Sequence, residues 1–340
     1  MTTSTPRRGS KWSGRARWLG LALALPCTVA AQDDAARLAP AGSTAGRRPL
    51  VLLVHGLGFP SRDSAEFRRM SLASLRAGAF RATGDSLLRD DDVRLVWYAD
   101  LMDVRRDNAL ATPTCRGGTG DDSTFAPTSI VQGIALAASA LMDLGAAQSG
   151  SVEGREIAGD LRFFGDEGAR CAAEGRVANA LALARAEGRP VVLVAHSLGA
   201  LVTWSYLEHR EQNTLDELPP ILRLVTVGSP VGSGILRELL FGDTTPVSLP
   251  RGVRSWANVV HEDDPFASRL LATDSLGGPL LPLPGISDVV STADDDDPHE
   301  LRGYLRDEIT ARTVLGAWCD ALESRQRVRG CVALVAPARS

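Results

Sequence analysis

The chain has 340 residues, 44% of them hydrophobic and 23% charged, with a formal net charge of −4 and a single lysine, Lys11. That is an ordinary globular composition, enough for one large α/β domain or two small ones around a sizeable buried core. The acidic balance and the lack of a clustered basic face exclude nucleic acid as the partner.

In chain order, residues 1–31 read as an export signal. Arg7, Arg8, Lys11, Arg15 and Arg17 form a basic start, residues 18–30 an apolar core too short to span a bilayer, and Val29-Ala30-Ala31 a small-residue cleavage site. Cleavage after Ala31 removes five positive charges and no negative ones, taking the net charge from −4 to −9. The expected location is periplasmic or extracellular. Of five cysteines, Cys115, Cys171, Cys319 and Cys331 remain after cleavage. An even number in an exported chain predicts two disulfides, with three connectivities open, and pairing within each chain region favours Cys115–Cys171 and Cys319–Cys331. No C-x-x-C pattern suggests a metal. Residues 32–48, rich in Ala, Gly, Ser and Arg, read as a flexible leader, so the folded domain is expected over 49–340.

The first strong strand is LVLLV at 50–54, followed by His55-Gly56-Leu57-Gly58. Glycines directly after a buried strand let the backbone turn over the carboxyl edge of a sheet, where ligands of α/β proteins bind. The third glycine of a dinucleotide fingerprint is missing, so no nucleotide cofactor is expected there. The economical reading is an oxyanion loop whose Leu57 N–H points at the reaction centre, the plain alternative being a tight turn. His55 is expected to pack or hydrogen-bond within that loop. A helix over 64–88 and a strand over 93–99 follow. The stretch to Pro190 is far longer than the usual connections. Residues 105–154 read as an inserted cap, although the alanine-rich helix at 127–147 also suits an ordinary cover for the sheet. Helices are expected over 155–164 and 169–187.

Residues 190–206, PVVLVAHSLGALVTWSY, organise the rest. A β-branched run turns sharply at His196-Ser197-Leu198-Gly199 into a helix. Strand, A-x-S-x-G, helix is a nucleophile elbow, which lifts the Ser197 hydroxyl to the top of a sheet. Ala195 and Gly199 are small because side chains there meet the neighbouring strand and helix. Strands follow over 222–227, 253–260 and 286–291, and a helix over 300–309. Buried-type runs alternating with helices predict a mostly parallel sheet in an α/β fold.

A serine hydroxyl becomes a nucleophile when a base accepts its proton, and the base needs a carboxylate to fix its tautomer. Of five histidines, His55 and His196 flank the elbow, and His209 ends its helix about three turns away. His261 shares a strand end with the acid candidates, which leaves His299 as the base. For the acid, Asp264 is preferred because the turn at Pro265-Phe266 can hold it toward His299, with Asp263 still open. The run at 294–297 reads as a solvated acidic loop, since it lacks the spaced ligands of a calcium loop.

VHGLG (54–58), AHSLG (195–199), VGSP (227–230), WANVVHEDDPF (256–266) and His299 together resemble the α/β-hydrolase fold, in particular its lipase and esterase branches. The resemblance covers roughly 50–313 and includes the order Ser, Asp, His. It implies Ser197 as nucleophile, Asp264 as acid, His299 as base, Leu57 and Leu198 as oxyanion amides, and no cofactor. Departures are Ala195 in place of the commoner glycine and the unmatched insert at 105–154. The implied activity is hydrolysis of carboxylic esters, on a small-molecule or lipid substrate, with activation at a lipid–water interface if the cap is a mobile lid. The same residues serve an amidase, a peptidase or an acyltransferase, and a non-catalytic binding protein can keep this fold.

Overall fold

Six apolar runs become six strands: β1 (Leu50–Val54), β2 (Val93–Val96), β3 (Val191–His196), β4 (Ile221–Val227), β5 (Trp256–Val260) and β6 (Ile286–Val290). All pair in parallel, in the order β2-β1-β3-β4-β5-β6. Every residue of β1, β3 and β5 is buried, which is why these runs carry apolar residues on both faces. The computed structural model describes residues 47–56, 63–101, 167–210, 218–234, 236–237, 247–271, 283–293, 297–323 and 328–335. All of these fall within one unit, Pro40–Ser340. The expected signal at 1–31, the expected cap at 105–154, the helix expected over 155–164, Leu57, Cys115 and Asp294 to Asp296 lie outside the described residues.

Helices cover both faces. On one face α2 (Glu167–Ala186) and α3 (Leu198–Arg210) pack Val177, Leu181, Leu201 and Trp204 against Leu50, Leu52 and Leu193. On the other, α1 (Ser64–Thr83), α4 (Leu301–Arg306), α5 (Glu308–Asp320) and α6 (Arg329–Val335) bring Leu72, Leu75, Leu305, Leu315 and Trp318 against Val51, Leu53 and Val194. Each such fully buried aliphatic side chain contributes about 1.5–3 kcal/mol relative to exposure. Among the described residues no helix is long and apolar enough to cross a membrane.

Several boundaries differ from expectation for local reasons. α1 stops at Thr83 rather than 88, because Gly84 takes a left-handed φ of 73° and returns its N–H to the Phe80 carbonyl. β2 ends at Val96, since Tyr98 turns over to bond His55. Val253 joins the sheet only by an isolated bridge to Ile221, and β5 begins at Trp256. The helix expected over 300–309 is two helices. Asp307 is extended (φ −63°, ψ 135°), and its carboxylate accepts from Thr310 N–H at 3.0 Å, capping α5. Aspartate favours a helix start over a helix interior. α6 was not foreseen. It is tied to α5 by the Cys319–Cys331 disulfide, with Cα atoms 5.4 Å apart. Cys171 is also disulfide-bonded.

Candidate active site

The strand order places the site. From β1 the chain moves outward to β2, then returns to β3 on the other side and continues to β6. That reversal makes the carboxyl ends of β1 and β3 the topological switch point of the sheet, the place where open α/β sheets bind ligands. His55-Gly56 leaves β1 at this point, and Ser197 leaves β3 beside it.

Ser197 is held in an uncommon conformation, with φ at +52°. Only it and Leu87 show positive φ among the described non-glycine residues. Such a backbone costs about 1–3 kcal/mol and persists because the surroundings impose it. Here the Ser197 N–H extends the β3–β4 ladder to Val227 O at 3.1 Å, while its carbonyl accepts from Ala200 N–H at 2.9 Å. The elbow therefore turns from strand to helix in one residue. Gly199 must lack a side chain, because a Cβ there would lie 2.2 Å from the His55 carbonyl oxygen. Leu198 is the first residue of α3, so its N–H has no intrahelical partner and lies at the positive end of the helix dipole.

His299 reaches Ser197 from the loop before α4. Its Nε2 lies 2.9 Å from Ser197 Oγ, and its Nδ1 is 2.9 Å from both Asp264 oxygens. A carboxylate only accepts, so Nδ1 carries the proton and Nε2 is free to take one from the hydroxyl. The Asp264 side chain is fully buried, whereas that of His299 is 21% exposed. The ring of Phe266 packs on that of His299, with centroids 4.5 Å apart.

Asp264 is brought to His299, and Asp263 is not. Glu262 and Asp263 are exposed in the same turn, with Asp263 N–H donating to His261 Nδ1 at 3.1 Å. The turn through Pro265 points the Phe266 and Ala267 N–H groups at Asp264 Oδ1, at 2.9 and 3.3 Å. Burial pushes the Asp264 pKa up, but hydrogen bonds from His299, Tyr304 and Phe266 outweigh it, leaving the carboxyl below its ordinary range. Gly228, left-handed at φ +55°, clears the space beside the pair. A Cβ there would stand 2.9 Å from Asp264 Oδ2 and 3.3 Å from His299 Nδ1.

The other described histidines are committed elsewhere. His55 donates from Nδ1 to the Gly56 carbonyl at 2.7 Å, accepts the Tyr98 N–H at Nε2 at 3.2 Å, and stacks on the Tyr98 ring. Burial pushes its pKa down to about 4. His196 donates from Nε2 to the His299 carbonyl at 2.8 Å, and burial pushes it down to about 3. His261 bonds the Ala293 carbonyl at 2.9 Å. Of His209 the side chain is not described.

Tyr304 was not singled out from sequence. Its hydroxyl donates to Asp264 Oδ2 at 2.7 Å and accepts the His261 N–H at 3.1 Å. The available signal was a lone polar aromatic one turn into the helix after His299. Among the described residues no group of three or more His, Cys, Asp or Glu side chains is arranged to hold a metal ion.

No protein-family model, no curated protein and no solved structure matches the chain.

Proposed function

We propose that this chain is an exported serine hydrolase of α/β-hydrolase type that cleaves carboxylic esters through an acyl-Ser197 intermediate. One observation carries the reading. An unbroken hydrogen-bonded line runs from the hydroxyl of Ser197, whose backbone is strained, through His299 to buried Asp264, at the carboxyl edge of a parallel sheet.

The chemistry follows from that line. Ser197 Oγ attacks the ester carbonyl carbon while His299 Nε2 takes the hydroxyl proton. The imidazolium so formed is stabilised by Asp264, which stays ionised because its carboxyl is held below the ordinary range. Negative charge on the former carbonyl oxygen is met by the Leu198 N–H at the start of α3, with Leu57 N–H as the expected second donor. His299 then gives its proton to the departing alkoxide, which leaves as the alcohol. Water repeats the sequence on the acyl-enzyme, with His299 as base and then acid, releasing the carboxylic acid and restoring Ser197. The Cys319–Cys331 disulfide supports an oxidising compartment.

The test is turnover of p-nitrophenyl esters from acetate to palmitate by the wild type, Ser197→Ala and His299→Ala. The expected result is hydrolysis by the wild type alone, with a chain-length optimum that separates esterase from lipase. If none of these esters turns over but a fluorophosphonate labels Ser197, the nucleophile is live and the substrate is an amide, a peptide or a bulkier ester. If the native protein neither hydrolyses esters nor takes the label, the catalytic reading falls and a binding role replaces it.

A further inference from the structure

We propose that Tyr304 is a positioning residue for the acyl-transfer site, its phenol setting both the rotation of the Asp264 carboxylate and how strongly that carboxylate draws on His299. This rests on the hydrolase reading above.

The two oxygens of Asp264 are held differently. Oδ1 accepts two main-chain N–H groups, from Phe266 and Ala267. Oδ2 is bonded by the Tyr304 hydroxyl at 2.7 Å, and His299 Nδ1 sits equidistant from both oxygens at 2.9 Å. Without the phenol, Oδ2 loses the one described donor it does not share with Oδ1, and only Oδ1 keeps donors of its own. Each donor to a carboxylate also withdraws charge from it, so the phenol moderates the pull on the His299 Nδ1 proton.

The phenol is itself oriented. Tyr304 is 1% exposed, and its oxygen accepts the His261 N–H, which directs its single proton to Asp264. Burial and the Asp264 charge push its pKa up, so the proton stays on the phenol at working pH. The clearance left by Gly228 serves the ring as well, since a Cβ there would lie 3.1 Å from Tyr304 Cε2.

The titratable groups facing the phenol are Asp264 and His261 beyond β5, His299 before α4 and His196 at the end of β3. His196 and His261 are tied to main-chain carbonyls. α1, packed against α4, turns Phe67, Ser71, Leu72, Ser74, Leu75, Gly78, Ala79 and Ala82 inward, none of which titrates. Asp307, at the junction with α5, is bonded by Thr310 and Thr292. The acid limb of reactivity therefore reports the His299–Asp264 pair as one unit.

The test is the rate of Ser197 labelling by a fluorophosphonate as a function of pH, in the full chain. Labelling joins Oγ to phosphorus, expels fluoride and passes the serine proton to His299. Tyr304→Phe is expected to slow labelling roughly tenfold, the scale of one hydrogen bond to a charged group. The less moderated carboxylate holds the His299 proton more tightly, so the acid limb moves upward by roughly half a pH unit or more. Replacing Tyr304 by 3-fluorotyrosine keeps the shape and gives a stronger donor, and moves the limb the other way. In an Asp264→Asn background, adding Tyr304→Phe changes the rate less than about twofold.

A slower rate with an unmoved limb, or an equal loss in the Asp264→Asn background, marks a merely structural phenol and overturns the proposal. Should Tyr304→Phe not fold, an unmoved limb in the fluorotyrosine protein does the same. A wild type that takes no label at any pH overturns the hydrolase reading itself, and this proposal with it.

Discussion

Two buried aspartates stand at opposite ends of the sheet, and their partners differ in kind. At the amino ends of the strands, Asp92 is bonded by Arg48 at 2.7 Å, by the Arg89 N–H at 2.9 Å and by Arg189 at 3.5 Å. Arg48 and Arg189 stand two residues before β1 and β3, and Arg48 also lies 4.6 Å over the Trp318 ring. Guanidinium groups keep their charge at every working pH, so this cluster has one state and pins the strand starts. At the carboxyl ends, Asp264 is held by neutral donors, Phe266, Ala267 and Tyr304, and by a histidine. Among the described residues its convertible partner is His299, the side chain of the line that remains partly exposed. A buried carboxylate beside fixed cations is structural, whereas one beside neutral donors and an imidazole is ready to balance a proton that comes and goes.

The sharpest way to break this contrast is to neutralise each acid. Asp264→Asn is expected to lower kcat on esters on the order of 10⁴-fold, because the amide no longer holds the productive tautomer of His299. Turnover within tenfold of wild type would put the acid elsewhere. Asp92→Asn instead strands two arginines with less than their charge and is expected to cost about 3–5 kcal/mol in urea unfolding. The folded fraction of that variant retains wild-type kcat.

Acid titration separates the ends further. His55 and His196 are buried neutral, with pKa values of about 4 and about 3 against 6.5 unfolded. Between 6.5 and the folded values, the unfolded chain binds protons that the native chain refuses. Stability is therefore full above pH 6.5 and falls as pH drops, by up to about 1.4 kcal/mol per pH unit for each group. Asp264, held below its ordinary 3.8, adds a further loss as pH falls below that value. Urea midpoints from pH 7 downward should show this decline, and His196→Gln should make it shallower. A flat profile would mean that the carboxyl end opens to water before it titrates. The smallest effect is at the rim of the amino-end cluster. Glu187→Gln removes the charge that pairs with Arg94 at 2.7 Å and Arg189 at 3.9 Å; Glu187 and Arg94 are both about one-third exposed, and the expected cost is less than about 1 kcal/mol.

Much of the scaffold could be read in advance because its signals are local. Leu50–Val54 matched its apolar run residue for residue, and β3, β4 and β6 came within one residue of theirs. The Ser197 elbow was visible as a buried strand, a small residue on each side of the serine and a helix. Boundaries failed where one side chain redirected the backbone, as Asp307 does between α4 and α5 and Tyr98 after β2. Cys319–Cys331, only 12 residues apart, was legible as a pair.

Sequence by itself determined the α/β alternation, the buried strands and the serine on its turn, because each depends on side-chain pattern within a few residues. Only the tertiary structure decided the strand order, the selection of Asp264 over Asp263, and the meeting of Tyr304 with Asp264 and of Arg48 with Asp92. Those contacts join residues 40 and 44 positions apart. They depend on which chain ends the sheet brings together in three dimensions, and no local periodicity encodes that.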